Sequence, residues 1–260
     1  MNPSTMRVVL TGASGGIGSA AATALSGAGA RVLLVGRSRT ALENLAGQLG
    51  GNAMPVIADL TREDGRAAIA DAARAFDANV LINNAGVASF GPFQTMDEAH
   101  IRDVLETNLL APMLLTRALL GHLAQQPQAC ILNIGSALGG LGLPGFGVYG
   151  AAKAGLRGFS EALRRELQGT RIRVQYLAPR TTRTRFNDAR VDAYNRATGT
   201  RTDSPERVAR ALLEVLARGT AERFLGFPER YAVRLTGLVP AWLDGAFKRH
   251  SRHLTTRFTT

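Results

Sequence analysis

The strongest constraint on this chain is an alternation. Arg7–Leu10, Arg31–Val35, Met54–Ala58, Val80–Ile82, Cys130–Ile134 and Ile172–Leu177 are short apolar runs, each with β-branched residues, and read as buried strands. Between them, residues 16–28, 38–49, 61–75, 97–124 and 147–168 carry helical spacing and good helix formers. Near-continuous apolar strands separated by helices need βαβ crossovers, hence a parallel sheet covered on both faces. The expected architecture is a three-layer, doubly wound α/β sheet in a single domain. That domain takes residues 1–226. An Arg/Thr/Asn-rich flap with one short helix is expected at about 180–203, and Ser204-Pro205-Glu206 reads as the next helix start. Residues 227–260 then form a basic helical extension.

Composition narrows the class. Of 260 residues, 45% are hydrophobic and 20% charged, which is globular and not disordered. The single cysteine, Cys130, excludes an intrachain disulfide and argues against a cysteine metal site. Met1 to Thr11 does not read as a signal peptide, and no apolar run reaches the roughly 18 residues of a spanning helix. A reduced, cytoplasmic setting is expected, and no metal site.

The net charge of +11 is unevenly spread. Residues 1–170 hold 13 basic against 12 acidic residues, while residues 171–260 hold 18 against 8. A polyanionic neighbour of the C-terminal part would fit, as would a merely soluble Arg-rich surface. Candidate neighbours are an acidic carrier protein and an anionic membrane surface. Nucleic acid is not expected, because no binding module is visible.

The first strand runs straight into Thr11-Gly12-Ala13-Ser14-Gly15-Gly16-Ile17-Gly18 and a helix. Glycines there let backbone approach a pyrophosphate, and the helix N-terminus offers free N–H groups to it. This is a Rossmann-type dinucleotide cradle. The second strand ends in Gly36-Arg37-Ser38-Arg39, with no acidic residue before Glu43. No carboxylate stands ready for a ribose 2′-hydroxyl, and Arg37 offers a planar fork to a 2′-phosphate, so NADP(H) is favoured. Arg39 reads equally as a solvated helix-start residue. Asp59, after the third strand, suits the adenine edge or a helix cap.

Tyr149 and Lys153 lie four residues apart on an expected helix and share a face. A tyrosine titrates near pH ~10, and a nearby cation is expected to lower that value toward a useful range. Ser136 ends the fifth strand at the carboxyl edge of the sheet, where a hydroxyl can bond a developing oxyanion.

These motifs together resemble the short-chain dehydrogenase/reductases. The resemblance runs to about residue 225 through Thr11…Gly18, Asp59, Asn83-Asn84-Ala85-Gly86, Asn108, Ser136 and Tyr149…Lys153. It implies that Tyr149 donates a proton to a carbonyl oxygen, that Lys153 holds the nicotinamide ribose and depresses the Tyr149 pKa, and that Ser136 positions the substrate. Asn108 would hold a water in a proton relay. Gly12, Ser14, Gly15, Gly16, Ile17, Gly18, Arg37, Asp59, Leu60, Asn84, Ala85, Gly86, Pro179, Thr182 and Thr184 would contact the cofactor with Tyr149 and Lys153. One departure stands out: where the family commonly has Pro-Gly, this chain has Pro179-Arg180. Arg180 is expected to add a cation at the substrate mouth.

The pocket rim is expected to be apolar on one side, with Phe90, Pro92, Phe93, Leu138, Leu141, Leu143, Pro144 and Phe146. It is expected to be basic on the other, with Arg180, Arg183, Arg185 and Arg190. Substrate contacts fall to Ser136, Leu138, Phe146, Tyr149 and Arg180. An apolar body with an anionic handle fits, such as a 3-oxoacyl thioester; so does another hydrophobic ketone. The extension carries Tyr231, Leu235, Leu238, Trp242 and Phe247 among Arg230, Arg234, Lys248 and Arg249, interrupted at Gly237 and Pro240. It reads as two short helices that lie on an anionic membrane, or pack on this domain or a neighbour. His250 and His253 read as tail residues. The resemblance implies a homodimer or homotetramer through helices 97–124 and 147–168. The expected activity is NADPH-dependent ketone reduction. An NAD-linked alcohol or steroid dehydrogenase and a non-enzymatic nucleotide-binding sensor or scaffold are the alternatives.

Overall fold

The computed structural model describes residues 1–227, Tyr231, Val233, Gly245 and 247–255. Seven parallel strands form one sheet: β1 Arg7–Thr11, β2 Arg31–Gly36, β3 Ala53–Ile57, β4 Val80–Asn83, β5 Ala129–Ile134, β6 Ile172–Ala178 and β7 Glu222–Phe224. Their order is β3-β2-β1-β4-β5-β6-β7. The chain thus winds outward from β1 in both directions. In-register pairs run through the centre: Val9 faces Leu33 on one side and Leu81 on the other.

Side chains alternate across the pleat, so each strand feeds two cores. Val8, Leu10, Val32, Leu34, Val80, Ile82, Cys130 and Leu132 face one layer. Its helices are α1 Gly16–Gly27, α2 Arg39–Leu49 and α8 Pro205–Arg218. Val9, Leu33, Val35, Leu81 and Ile131 face the other. That layer is built from α3 Glu63–Ala75, α5 Ala111–Gln125 and α6 Gly147–Glu166. The three-layer, doubly wound, single-domain fold is the one expected. Helix starts follow ordinary capping chemistry: Ser38 accepts from the Ala41 amide before α2, and Ser204 from the Arg207 amide before α8, with Pro205 in the first turn.

Two differences from expectation have physical causes. The span 97–124 is not one α-helix: α4 Glu98–Leu105 and α5 are joined by a π-turn over Glu106–Leu110. Pro112 cannot donate to the carbonyl of Asn108 four residues back. The ladder widens just before it, with the Ala111 amide donating to Glu106. Second, β7 escapes sequence reading because three residues with one apolar side chain carry no period. Tertiary contacts hold it instead: Arg157 Nε donates to Glu222 at 2.6 Å, and the guanidinium lies 5.0 Å over the Phe224 ring.

In the extension, Arg230, Arg234, Leu235, Gly237, Leu238, Pro240 and Trp242, and with them the expected pair of helices, lie outside the described residues. Lys248–Thr255 forms a helix, α9 here, which packs against α7 Ala189–Thr198, the helix of the flap. Among the described residues no helix is long and apolar enough to cross a membrane.

Candidate active site

At the carboxyl ends of β1 and β4 the winding direction reverses, and a crevice opens where open α/β sheets take ligands. It is a cavity of about 1040 Å³. Its floor is the glycine turn. Gly12 has φ +64, and a Cβ there would come within 2.7 Å of the Ala85 Cα. A Cβ on Gly18 would meet the Gly12 carbonyl at 2.1 Å. Both positions exclude any side chain. Thr11 Oγ1 accepts from the Asn84 and Ala85 amides at 3.0 Å, and Asn84 Nδ2 donates to the Thr11 and Gly12 carbonyls. The β4 end and the glycine turn are therefore one unit.

The exposed side chain of Arg37 lines the cavity at the end of β2. Asp59 lines it too, but caps no helix: α3 begins at Glu63 with Arg62 at its N-cap, and the Asp59 carboxylate accepts from the Thr61 hydroxyl and amide at 2.7 and 3.0 Å. Burial opposes its ionisation, yet the Thr61 hydrogen bonds and the charges of Arg37 and Arg62 outweigh that and hold the carboxyl below its ordinary value.

Ser136, Tyr149 and Lys153 converge on the same cavity. Ser136 lies two residues beyond the end of β5 and caps a short turn, its Oγ accepting from the Leu138 amide at 3.1 Å. Tyr149 and Lys153 sit on α6, and the Lys153 Nζ lies 5.8 Å from the Tyr149 ring centroid. That ammonium is only 4% exposed and donates to the Ile134 carbonyl at 3.1 Å. Tyr149 hydrogen-bonds Ser136.

The expected lowering of the phenol's pKa is not what this geometry produces. Burial pushes Tyr149 up to about 12, opposed by the Ser136 bond, and burial also pulls Lys153 down to about 8. Desolvation disfavours the charged form of each group, and at this separation it outweighs their attraction.

Every residue singled out for cofactor or substrate contact lines this cavity, from Gly12 and Ser14 to Pro179, Arg180, Thr182 and Thr184. Asn108 does not. It is fully buried in the π-turn, its amide donating to the Val87 carbonyl at 2.9 Å and accepting from the Val87 amide at 3.1 Å. It braces the wall behind Gly86, itself a lining residue of the cavity.

Arg180 also differs from expectation. It does not offer an open cation, since its guanidinium is ion-paired to Asp203 at 2.8 Å. Arg190 likewise pairs with Asp188 at 2.9 Å, whereas Arg185 and Arg201 line the cavity. Sequence reasoning missed Phe227, Tyr231, Phe247 and His250, which line the substrate end from the extension. Only the apolar stripe that includes Tyr231 and Phe247 hinted at a packed face.

The residues present fit a dinucleotide: a cradle that a Cβ would fill, and a long cavity joining it to a phenol and an ammonium. Fold and site together define a nicotinamide-dependent oxidoreductase. Residues 6–195 match the short chain dehydrogenase family. The chain belongs to that family, the short-chain dehydrogenases/reductases. It is 36% identical to the ketoacyl reductase HetN of Nostoc sp. over 222 residues, covering 83% of this chain and 76% of that protein.

Solved structures align closely. A short-chain dehydrogenase from Sphingobium yanoikuyae in complex with NADPH matches with TM-score 0.78 and 29% identity, covering 92% of this chain and 95% of that one. A 3-ketoacyl-(acyl-carrier-protein) reductase from Brucella melitensis complexed with NADH matches with TM-score 0.78 and 26% identity, over 85% and 96% of the two chains.

Proposed function

We propose that this protein reduces a ketone to a secondary alcohol with NADPH, and that its substrate is a 3-oxoacyl thioester or a similarly hydrophobic carbonyl. The convergence of Ser136, Tyr149 and Lys153 on the cavity that begins at the glycine cradle carries the proposal. Bound nicotinamide supplies the hydride. The protein supplies the proton and the geometry. Tyr149, protonated at neutral pH, donates to the carbonyl oxygen as charge develops there. The Ser136 hydroxyl, which accepts from Leu138 and faces Tyr149, is placed to hydrogen-bond the same oxygen. Lys153 spends one of its three N–H bonds on Ile134 and keeps two for ribose hydroxyls and the Tyr149 side.

Arg37, with no carboxylate at the end of β2, supports NADPH over NADH. The ketoacyl reductases among the relatives support the substrate class. An acyl carrier protein would then present the substrate. Leu105 and Leu110, exposed at 37% and 45% on the 97–124 span, support pairing of two copies through that face.

Tyr149→Phe is expected to lower kcat by about 10²–10⁴-fold, the usual worth of a positioned proton donor, while NADPH titrated by fluorescence still binds. Full turnover in that variant, or a kcat/KM favouring NADH in the parent, overturns the assignment or the part given to Arg37.

A further inference from the structure

The flap is a closed ring. It leaves β6 at Pro179 and reaches the start of α8 at Asp203, and its two ends touch. The Asp203 amide donates to the Thr181 carbonyl at 2.8 Å, the Arg183 amide donates to the Asp203 carbonyl at 2.9 Å, and Thr182 bridges Asp203. At this junction Arg180 Nη2 donates to Asp203 Oδ1 at 2.8 Å, with side chains 10% and 1% exposed. Arg207 from α8 reaches the same oxygen at 3.0 Å.

The junction is wired to both halves of the site. The Pro179 carbonyl accepts from the Ala137 amide, beside Ser136. Four residues beyond Arg180, Thr184 packs on the cradle so closely that a Cβ on Gly16 would lie 2.4 Å from its Cγ2.

We propose that Arg180 is a positioning residue that latches the two ends of the flap through Asp203, and so fixes Thr184 over the glycine cradle, instead of binding a substrate anion. A glycine here leaves the flap conformation unrestrained and the carboxylate with Arg207 alone; arginine ties the two ends with a directional, water-shielded pair. The Asp203 carboxylate keeps Arg207 when Arg180 is lost, so the fold survives removal of the latch.

The inference goes beyond the proposed reaction, and its first readout needs no catalysis. Arg183, Arg185 and Arg190 are exposed on the flap and report opening to trypsin. Arg180→Met, Asp203→Asn and the double variant are compared with the parent by tryptic cleavage within 181–203, with circular dichroism confirming an intact sheet. Each single variant is expected to be cut at least about 10-fold faster, and the double no faster than the quicker single, as one broken contact requires.

The second readout is KM for an uncharged ketone and for an acyl-coenzyme A thioester, expected to rise together in Arg180→Met. Parental cleavage rates, or additive ones, overturn the latch. A KM rise confined to the thioester with a silent Asp203→Asn overturns it in favour of direct anion binding. Loss of turnover by the parent would sink the proposed reaction while leaving the cleavage test decisive.

Discussion

Tyr149 and Lys153 are a pair of weakened ions. Burial takes the phenol up to about 12 and the ammonium down to about 8. Their linkage signs are opposite. Between pH 8 and 10.5 the unfolded chain holds more of the lysine proton than the folded one, so the cost of burying Lys153 disappears and its contribution to stability rises with pH. Between pH 10 and 12 the folded chain holds more of the tyrosine proton, so stability falls there.

The catalytic consequence lies nearer neutrality. kcat/KM for carbonyl reduction is expected to decline above an apparent pKa near 8 as Lys153 loses its charge. A flat profile from pH 6 to 10 in the free enzyme would refute that. Residue types and spacing made Gly12, Gly18, Ser136, Tyr149 and Lys153 legible. The direction of the phenol's shift was not, because desolvation depends on what surrounds a group and the sequence names only its neighbours.

At the scale of elements, the π-turn over Glu106–Leu110 turns Asn108 inward to clamp both backbone groups of Val87. Asn108→Ala takes the partner from that part-buried amide and carbonyl, at a cost of up to about 1–3 kcal/mol each where water does not replace it. The urea midpoint should fall while the helical signal in circular dichroism is retained. An unchanged midpoint would mean that Val87 finds other partners.

A second buried chain ties strands to helix. Asn83 Nδ2 donates to Asn133 at 2.8 Å, and Asn133 Nδ2 donates to Ser160 on α6 at 2.8 Å. Strand and helix periods marked these elements within a few residues. The π-turn broke the pattern because one proline, Pro112, alters a ladder without disturbing apolar spacing. β7 was too short to possess a period at all.

For the molecule as a whole, the extension matters more than its charge indicated. Tyr194 of the flap meets the Pro144 carbonyl at 3.2 Å and His250 Nδ1 at 2.7 Å, amid Phe90 and Phe146. One hydroxyl thus joins the α6 approach, the flap and α9, and Phe247 and His250 close the substrate end of the cavity. Tyr194→Phe should raise KM for bulky apolar carbonyls several-fold and leave NADPH binding unchanged. Equal effects on small and bulky substrates would show that the hydroxyl does not shape this chamber. The sequence displayed the basic amphipathic stripe of the extension, but not its seat, since that contact joins residues some fifty positions apart.

Because the ring between Thr182 and Asp203 closes on itself, whatever lies inside it is insulated from the seven strands. Doubling a flexible loop costs only about 0.6 kcal/mol. Between Thr184, which must keep its seat on Gly16, and Asp203, that stretch can therefore change length at little cost to the sheet.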